Sequence, residues 1–116
     1  MNKVVGLIMV LFVFQGLTQT QKKTRIVNIK TSAMCELCKE RIEENFNFTK
    51  GIVFAELNLE DNIVTVKYKT KHLSVNGVKQ ILADLGYHAD EIERNKDAFN
   101  GLPECCKDKN ATCTGK

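Results

Sequence analysis

At 116 residues the chain is long enough for one small domain. Its formal net charge is +3, with 17 basic residues interspersed among 14 acidic ones, which excludes the clustered basic footprint of a nucleic-acid binder. Five cysteines cannot all pair within one chain, so at least one thiol is free, intermolecular or metal-bound.

The first segment, MNKVVGLIMVLFVFQGLTQTQ, sets Lys3 before an apolar run from Val4 to Phe14 and follows it with a short polar stretch. That is the layout of a secretory signal peptide. The apolar run is too short to cross a hydrocarbon core of ~30 Å as a helix, which disfavours a retained anchor. Residues 1–20 therefore read as a signal peptide cleaved after Thr18 or Thr20, and the mature chain is expected to be exported with no membrane span. In an oxidising compartment an unpaired thiol requires a reason. The sequons Asn47-Phe48-Thr49 and Asn110-Ala111-Thr112 matter only in a host that glycosylates.

The run TRIVNIK, residues 24–30, is rich in β-branched residues and reads as a strand. From Cys35 to about Phe46 the spacing predicts a helix, with Cys38, Ile42, Asn45, Phe46 and Thr49 on its inner side and Lys50-Gly51 at its exit. Residues 52–68 read as two strands around a Glu60-Asp61-Asn62 turn. Ala55, Leu57 and Leu59, then Val64, Val66 and Tyr68, alternate inward. Ser74 can cap a helix running to about Leu85, with Val75, Val78, Leu82 and Leu85 along one stripe. Gly77 weakens its first turn and Gly86 ends it. YHADEIE, residues 87–93, reads as a last strand.

Each strand has one apolar face and each helix one apolar stripe. The economical packing is α+β, a ferredoxin-like βαββαβ sandwich in which two helices cover one face of a four-stranded antiparallel sheet. In that topology the loop before the first helix, the turn at 60–62 and the Leu85-Gly86-Tyr87 corner share one end, so Cys35, Cys38 and Tyr87 should be neighbours.

A thiolate is the species that binds metal, and the first helical turn offers Cys38 unpaired N–H groups and the positive end of the dipole. Two soft sulfurs with no carboxylate or histidine between them suit copper(I) or mercury(II) better than a hard cation. Other readings of the pair stay open. A thiol-disulfide redox couple would want a proline facing it, and the single proline, Pro103, stands in the tail. A structural disulfide would close a short loop and constrain the unfolded chain little. A structural zinc site would need two further ligands, and a second CxxC is absent.

Residues 24–93 resemble the heavy-metal-associated domain family. Cys35 and Cys38 match its metal cysteines, Ile42 and Phe46 its first-helix apolar positions, Lys50-Gly51-Ile52 the helix exit, and Gly86-Tyr87 the corner where bacterial members set a tyrosine beside the metal. The secreted single-domain form is similar to periplasmic mercury-binding and copper-chaperone relatives. The resemblance implies a domain over 21–93 that carries a soft ion (copper(I) first, mercury(II) or zinc(II) next) in a periplasm. It also implies, as partner, a metal-transporting membrane protein or another metal-binding domain. The chain departs from the family pattern before the first cysteine, where Ser32 and Ala33 stand in place of Gly-Met and Met34 directly precedes Cys35.

The remaining candidates are weaker. Tyr87 is either core packing or a hydroxyl held beside a thiolate. His88 reads as surface, His72 as solvated at the far end, and Met34 as a core plug rather than a thioether ligand. No Ser/His/Asp constellation, phosphate loop or paired acid site stands out, so an enzyme is not expected.

The tail, residues 94–116, has a possible helical turn at 95–100, then Cys105, Cys106 and Cys113. A last strand would run away from the metal end of a sheet roughly 20 Å tall. Residues 94–104 are long enough to climb back, which would make Cys105 and Cys106 auxiliary thiolates. Phe99 and Leu102 would be their apolar anchors. A free tail, or pairing with Cys113 or another chain, is the alternative.

Overall fold

The computed structural model describes residues 23–108 and residue 110; the segment read as a signal peptide, Cys113 and most of the second sequon lie outside the described residues. The order of elements is β1 (Thr24–Lys30), α1 (Glu36–Asn47), β2 (Ile52–Asn58), β3 (Ile63–Lys69), α2 (Val75–Asp84) and α3 (Lys96–Asn100), followed by a short 3-10 turn at Glu104–Cys106. The architecture is α+β around an antiparallel sheet of order β1-β3-β2.

Register explains which side chains meet. Val27 and Ala55 both lie opposite Val66, and Ile29 and Leu57 both lie opposite Val64, so these six share one face of the pleat. That face joins Ile42 and Phe46 of α1 and Val78 and Leu82 of α2 in one core. Complete burial of each large apolar side chain is worth about 1.5–3 kcal/mol. On the other face Ile26 and Phe54 flank Lys67 and remain exposed.

The helices follow the sequence closely. Cys38, Ile42 and Phe46 form the buried stripe of α1. Asn45, expected on that side, is exposed and donates instead to the Arg41 carbonyl. Two side chains of α1 reach the outer edge of β2: Glu43 accepts from the Leu57 N–H at 2.8 Å, and Lys39 donates to the Leu57 carbonyl at 3.0 Å. The Lys39 ammonium and the Glu43 carboxylate also pair with each other. Ser74 caps α2 by accepting from the Gly77 N–H. Gly86 closes α2 at φ +104°, a conformation that favours glycine.

The expected fourth strand does not form. Among the described residues three strands make the sheet, and residues 87–93 contribute only a bridge from Ala89 to Thr31. Tyr87 and Ala89 keep the strand alternation, both buried, but Asp90 then turns to φ +53°. Ala89 and Ile92 exchange backbone hydrogen bonds across that turn, and the Asp90 carboxylate takes the Lys30 N–H that a strand carbonyl would have taken. The chain therefore reverses at residues 89–92 instead of running the height of the sheet.

The reversal directs the tail. The Asn95 N–H donates to the Ala83 carbonyl at the end of α2, and the Asn95 side chain caps α3. The backbone of α3 lies directly on the Gly86 corner. A Cβ at Gly86 would stand 2.9 Å from the Phe99 nitrogen and 3.0 Å from the Ala98 carbonyl carbon. Arg94 lies over the Phe99 ring at 3.5 Å, and Leu102 is buried in the core.

Candidate metal centre

Cys35 stands in extended conformation at the N-cap of α1, and its carbonyl accepts from the Lys39 N–H. Cys38 is therefore in the first turn of the helix. The two sulfurs are 3.0 Å apart. The preceding loop is held at several points. The Thr31 N–H donates to the Asn62 carbonyl at 2.9 Å, and the Ser32 hydroxyl accepts from the His88 N–H at 3.0 Å. Ala33 fills the core position where the family pattern has methionine, fully buried. Met34, read from the sequence as the plug, is only half-buried.

The tail does return. The turn at Glu104–Cys106 brings the Cys106 sulfur to 3.6 Å from Cys35 and the Cys105 sulfur to 3.7 Å from Cys35. The sulfurs of Cys35, Cys105 and Cys106 all lie within 4.8 Å of one another. Cys105 is disulfide-bonded, which removes its thiol from the ligand set, whereas Cys38 and Cys106 are free thiols. Cys38 lies on the inner side of α1, as its spacing predicts. Cys38 is 0% exposed and Cys106 2% exposed.

Tyr87 is a core residue. It is 1% exposed, the largest fully buried side chain among the described residues, and its hydroxyl lies near the Cys38 and Cys106 sulfurs without a well-formed hydrogen bond. An orphaned buried donor is costly, and an adjacent thiolate would satisfy it.

The protons are unevenly shared. Burial pushes the Cys35 thiol up, reinforced by its contact with the Cys38 side chain. Burial also acts upward on Cys38. There, however, interactions with the Cys106 and Cys35 sulfurs, the Met34 backbone and the nearby Tyr87 hydroxyl outweigh it and hold the thiol below its ordinary value. Desolvation and contact with Cys38 push Cys106 well up. Burial, then the Cys38 charge, does the same to the Tyr87 phenol. Cys38 is thus the sulfur best prepared to carry charge.

The histidines are not part of this cluster. His88, read as surface, is half-buried, and its Nδ1 accepts from the Arg94 N–H at 3.3 Å across the 89–92 reversal. His72 is exposed, as expected, and sits beside Gly51 at the exit of α1. Sequence reasoning missed Ser32, whose hydroxyl ties the cysteine loop to the Tyr87 corner; a lone serine in a loop carries no signal of that contact.

Comparison with known proteins agrees with this geometry. The chain is 34% identical over 62 residues to the copper chaperone CopZ of Staphylococcus aureus, an alignment spanning 53% of this chain and 90% of that one. It is 38% identical over 53 residues to a copper-exporting P-type ATPase of Bacillus subtilis, covering 46% of this chain but only 7% of the ATPase. Among solved structures, a CopZ metallochaperone superposes with a TM-score of 0.53 at 27% identity, covering 56% of this chain and 98% of that one. Oxidized MerP from Ralstonia metallidurans superposes with a TM-score of 0.54 over 58% of this chain and 94% of its own, and at 19% identity it attests the fold alone. The heavy-metal-associated domain profile matches residues 28–88, more than half of the chain, and the protein belongs to that family.

Proposed function

We propose that the protein is an exported, non-enzymatic carrier of a soft metal ion, copper(I) in the first place, which Cys35 and Cys38 bind as thiolates and pass on by thiol exchange. The observation that carries this reading is the pair of sulfurs 3.0 Å apart at the start of α1, with a buried tyrosine hydroxyl near Cys38 that is left without a good acceptor. Sulfur donors with no carboxylate among them select soft ions over hard ones. Copper leads mercury(II) and zinc(II) because the chaperone and the ATPase to which the chain is similar are both named for copper. The fitting partner is a metal-transporting membrane protein that presents a cysteine pair of its own. The periplasm, as destination, rests on the leader-like segment at residues 1–20.

A second reading, thiol-disulfide exchange, is favoured by the same short sulfur separation. Metal analysis of anaerobically purified protein, with a thiol count, separates the two. The expected result is one copper(I) per chain, lost in Cys35→Ser and in Cys38→Ser. A double serine variant that keeps one tightly held ion would falsify the assignment. Metal-free wild type that cycles readily between dithiol and disulfide would favour the redox reading.

A further inference from the structure

A buried cysteine is often no more than a small apolar side chain. Cys106 is more than that, because the segment carrying it has to leave the expected path and double back to bring it there. The reversal at residues 89–92, the Asn95–Ala83 hydrogen bond and the close approach of α3 to Gly86 all serve to bring Glu104–Cys106 over the start of α1. At the end of this path the Cys106 sulfur lies 3.6 Å from Cys35, within hydrogen-bonding reach for sulfur, and close to Cys38.

The two separations made by Cys35 suit three sulfurs better than two. With metal–sulfur bonds of about 2.3 Å, a linear pair needs sulfurs about 4.6 Å apart and a trigonal set needs about 4.0 Å. The 3.0 Å separation of Cys35 and Cys38 must open by less for the trigonal arrangement, and Cys35–Cys106 at 3.6 Å is already near it. The Tyr87 hydroxyl, oriented toward Cys38 and Cys106, would donate to the completed set.

Building on the reading above, we propose that Cys106 is a third thiolate ligand, and that the C-terminal segment is the gate through which the ion leaves. In transfer, a partner thiol gives up its proton and its thiolate forms a new bond to the ion. The Cys106–metal bond breaks, and the Cys106 thiolate takes up a proton as the segment lifts away. The oxidation state of the ion is unchanged throughout.

X-ray absorption on the copper(I)-loaded full chain, with competition against a copper(I)-specific chelator, tests this. Wild type should show three sulfur neighbours, and Cys106→Ser and Cys106→Ala should both show two. Both variants should bind at least tenfold more weakly and surrender copper to the chelator faster, with unchanged stoichiometry. Two sulfurs in wild type, or three retained in both variants, overturns the proposal and leaves the Cys35/Cys38 site standing. Wild type that holds no copper(I) overturns both. Two substitutions of different polarity, each checked by thermal melting in the metal-free state, separate loss of a ligand from loss of the fold.

Discussion

Cys38 reaches the site from the first turn of a twelve-residue helix packed on the sheet, whereas Cys106 reaches it from a three-residue turn at the end of an irregular segment. The first arm is fixed by backbone ladders and by the buried stripe Cys38, Ile42 and Phe46. The second hangs on a few point contacts: the Asn95 N–H on Ala83, the Gly86 corner under α3, and the buried side chain of Leu102. Elements held by few buried contacts open at lower free-energy cost than core strands and helices. One arm can therefore hold geometry while the other moves.

The sharpest way to break the comparison is to remove a sulfur from the rigid arm. Cys38→Ser and Cys35→Ser should each cost at least a thousandfold in copper(I) affinity. They should differ in the metal-free protein. Cys38 is completely buried, so an unsatisfied hydroxyl there should cost about 1–3 kcal/mol of stability, while Cys35, half-buried at the loop edge, should melt close to wild type. Equal melting temperatures would mean that the start of α1 is looser than its packing implies.

Next is the docking of the second arm. Gly86→Ala should cost about 1–3 kcal/mol for its left-handed conformation, and the added methyl would also meet the backbone of Phe99 at 2.9 Å. Gly51→Ala is its control. It sits at φ +94° with the new carbon 2.8 Å from the His72 Cβ, on the exit side of α1. Both should lower the melting temperature, but only Gly86→Ala should expose the 94–108 segment to limited proteolysis and weaken metal retention. Equal protease resistance in the two variants would show that the tail is held some other way.

A smaller effect is expected where the two arms meet. Tyr87→Phe removes a buried hydroxyl that lacks a good acceptor, so the metal-free protein should melt no lower than wild type. Metal affinity should fall by about tenfold, near the lower end of the ~1.5–3 kcal/mol of a hydrogen bond to a charged acceptor. A chelator competition identical to wild type would make Tyr87 packing alone. Smallest of all, Glu43→Gln on the rigid arm should cost about 1 kcal/mol through its bond to the Leu57 N–H and leave metal affinity unchanged. A change in affinity would mean that the sheet edge and the site are coupled.

The same division marks what could be read from the sequence. Strand alternation at Ala55, Leu57, Val64 and Val66, the stripe Ile42–Phe46 and the cap at Ser74 are local patterns, and each forms as its spacing implies. The fourth strand misled because Tyr87 and Ala89 alternate correctly for three residues before Asp90 turns left-handed. His88 misled for a related reason: its partner, the Arg94 N–H, arrives only because the chain reverses. For the tail, contour length showed that Cys105 and Cys106 could reach the site. The contact that brings them there is a backbone approach between Gly86 and Phe99, thirteen positions apart, and no periodicity records it. The disulfide at Cys105 leaves Cys106 alone of the two as a thiol, a distinction that adjacent cysteines in a sequence do not reveal.

The clamp that Lys39 and Glu43 place on Leu57 bears on how this sheet behaves among its own copies. An edge strand normally offers a row of unpaired N–H and C=O groups, a template on which another chain can add. At Leu57 both groups are already engaged, by a carboxylate at 2.8 Å and an ammonium at 3.0 Å. A strand approaching from that side would have to break two charge-assisted bonds and displace the paired Lys39 and Glu43 side chains before gaining its first rung. α1 thus guards the β2 edge against edge-to-edge polymerisation with the same turns that present Cys38 to the metal.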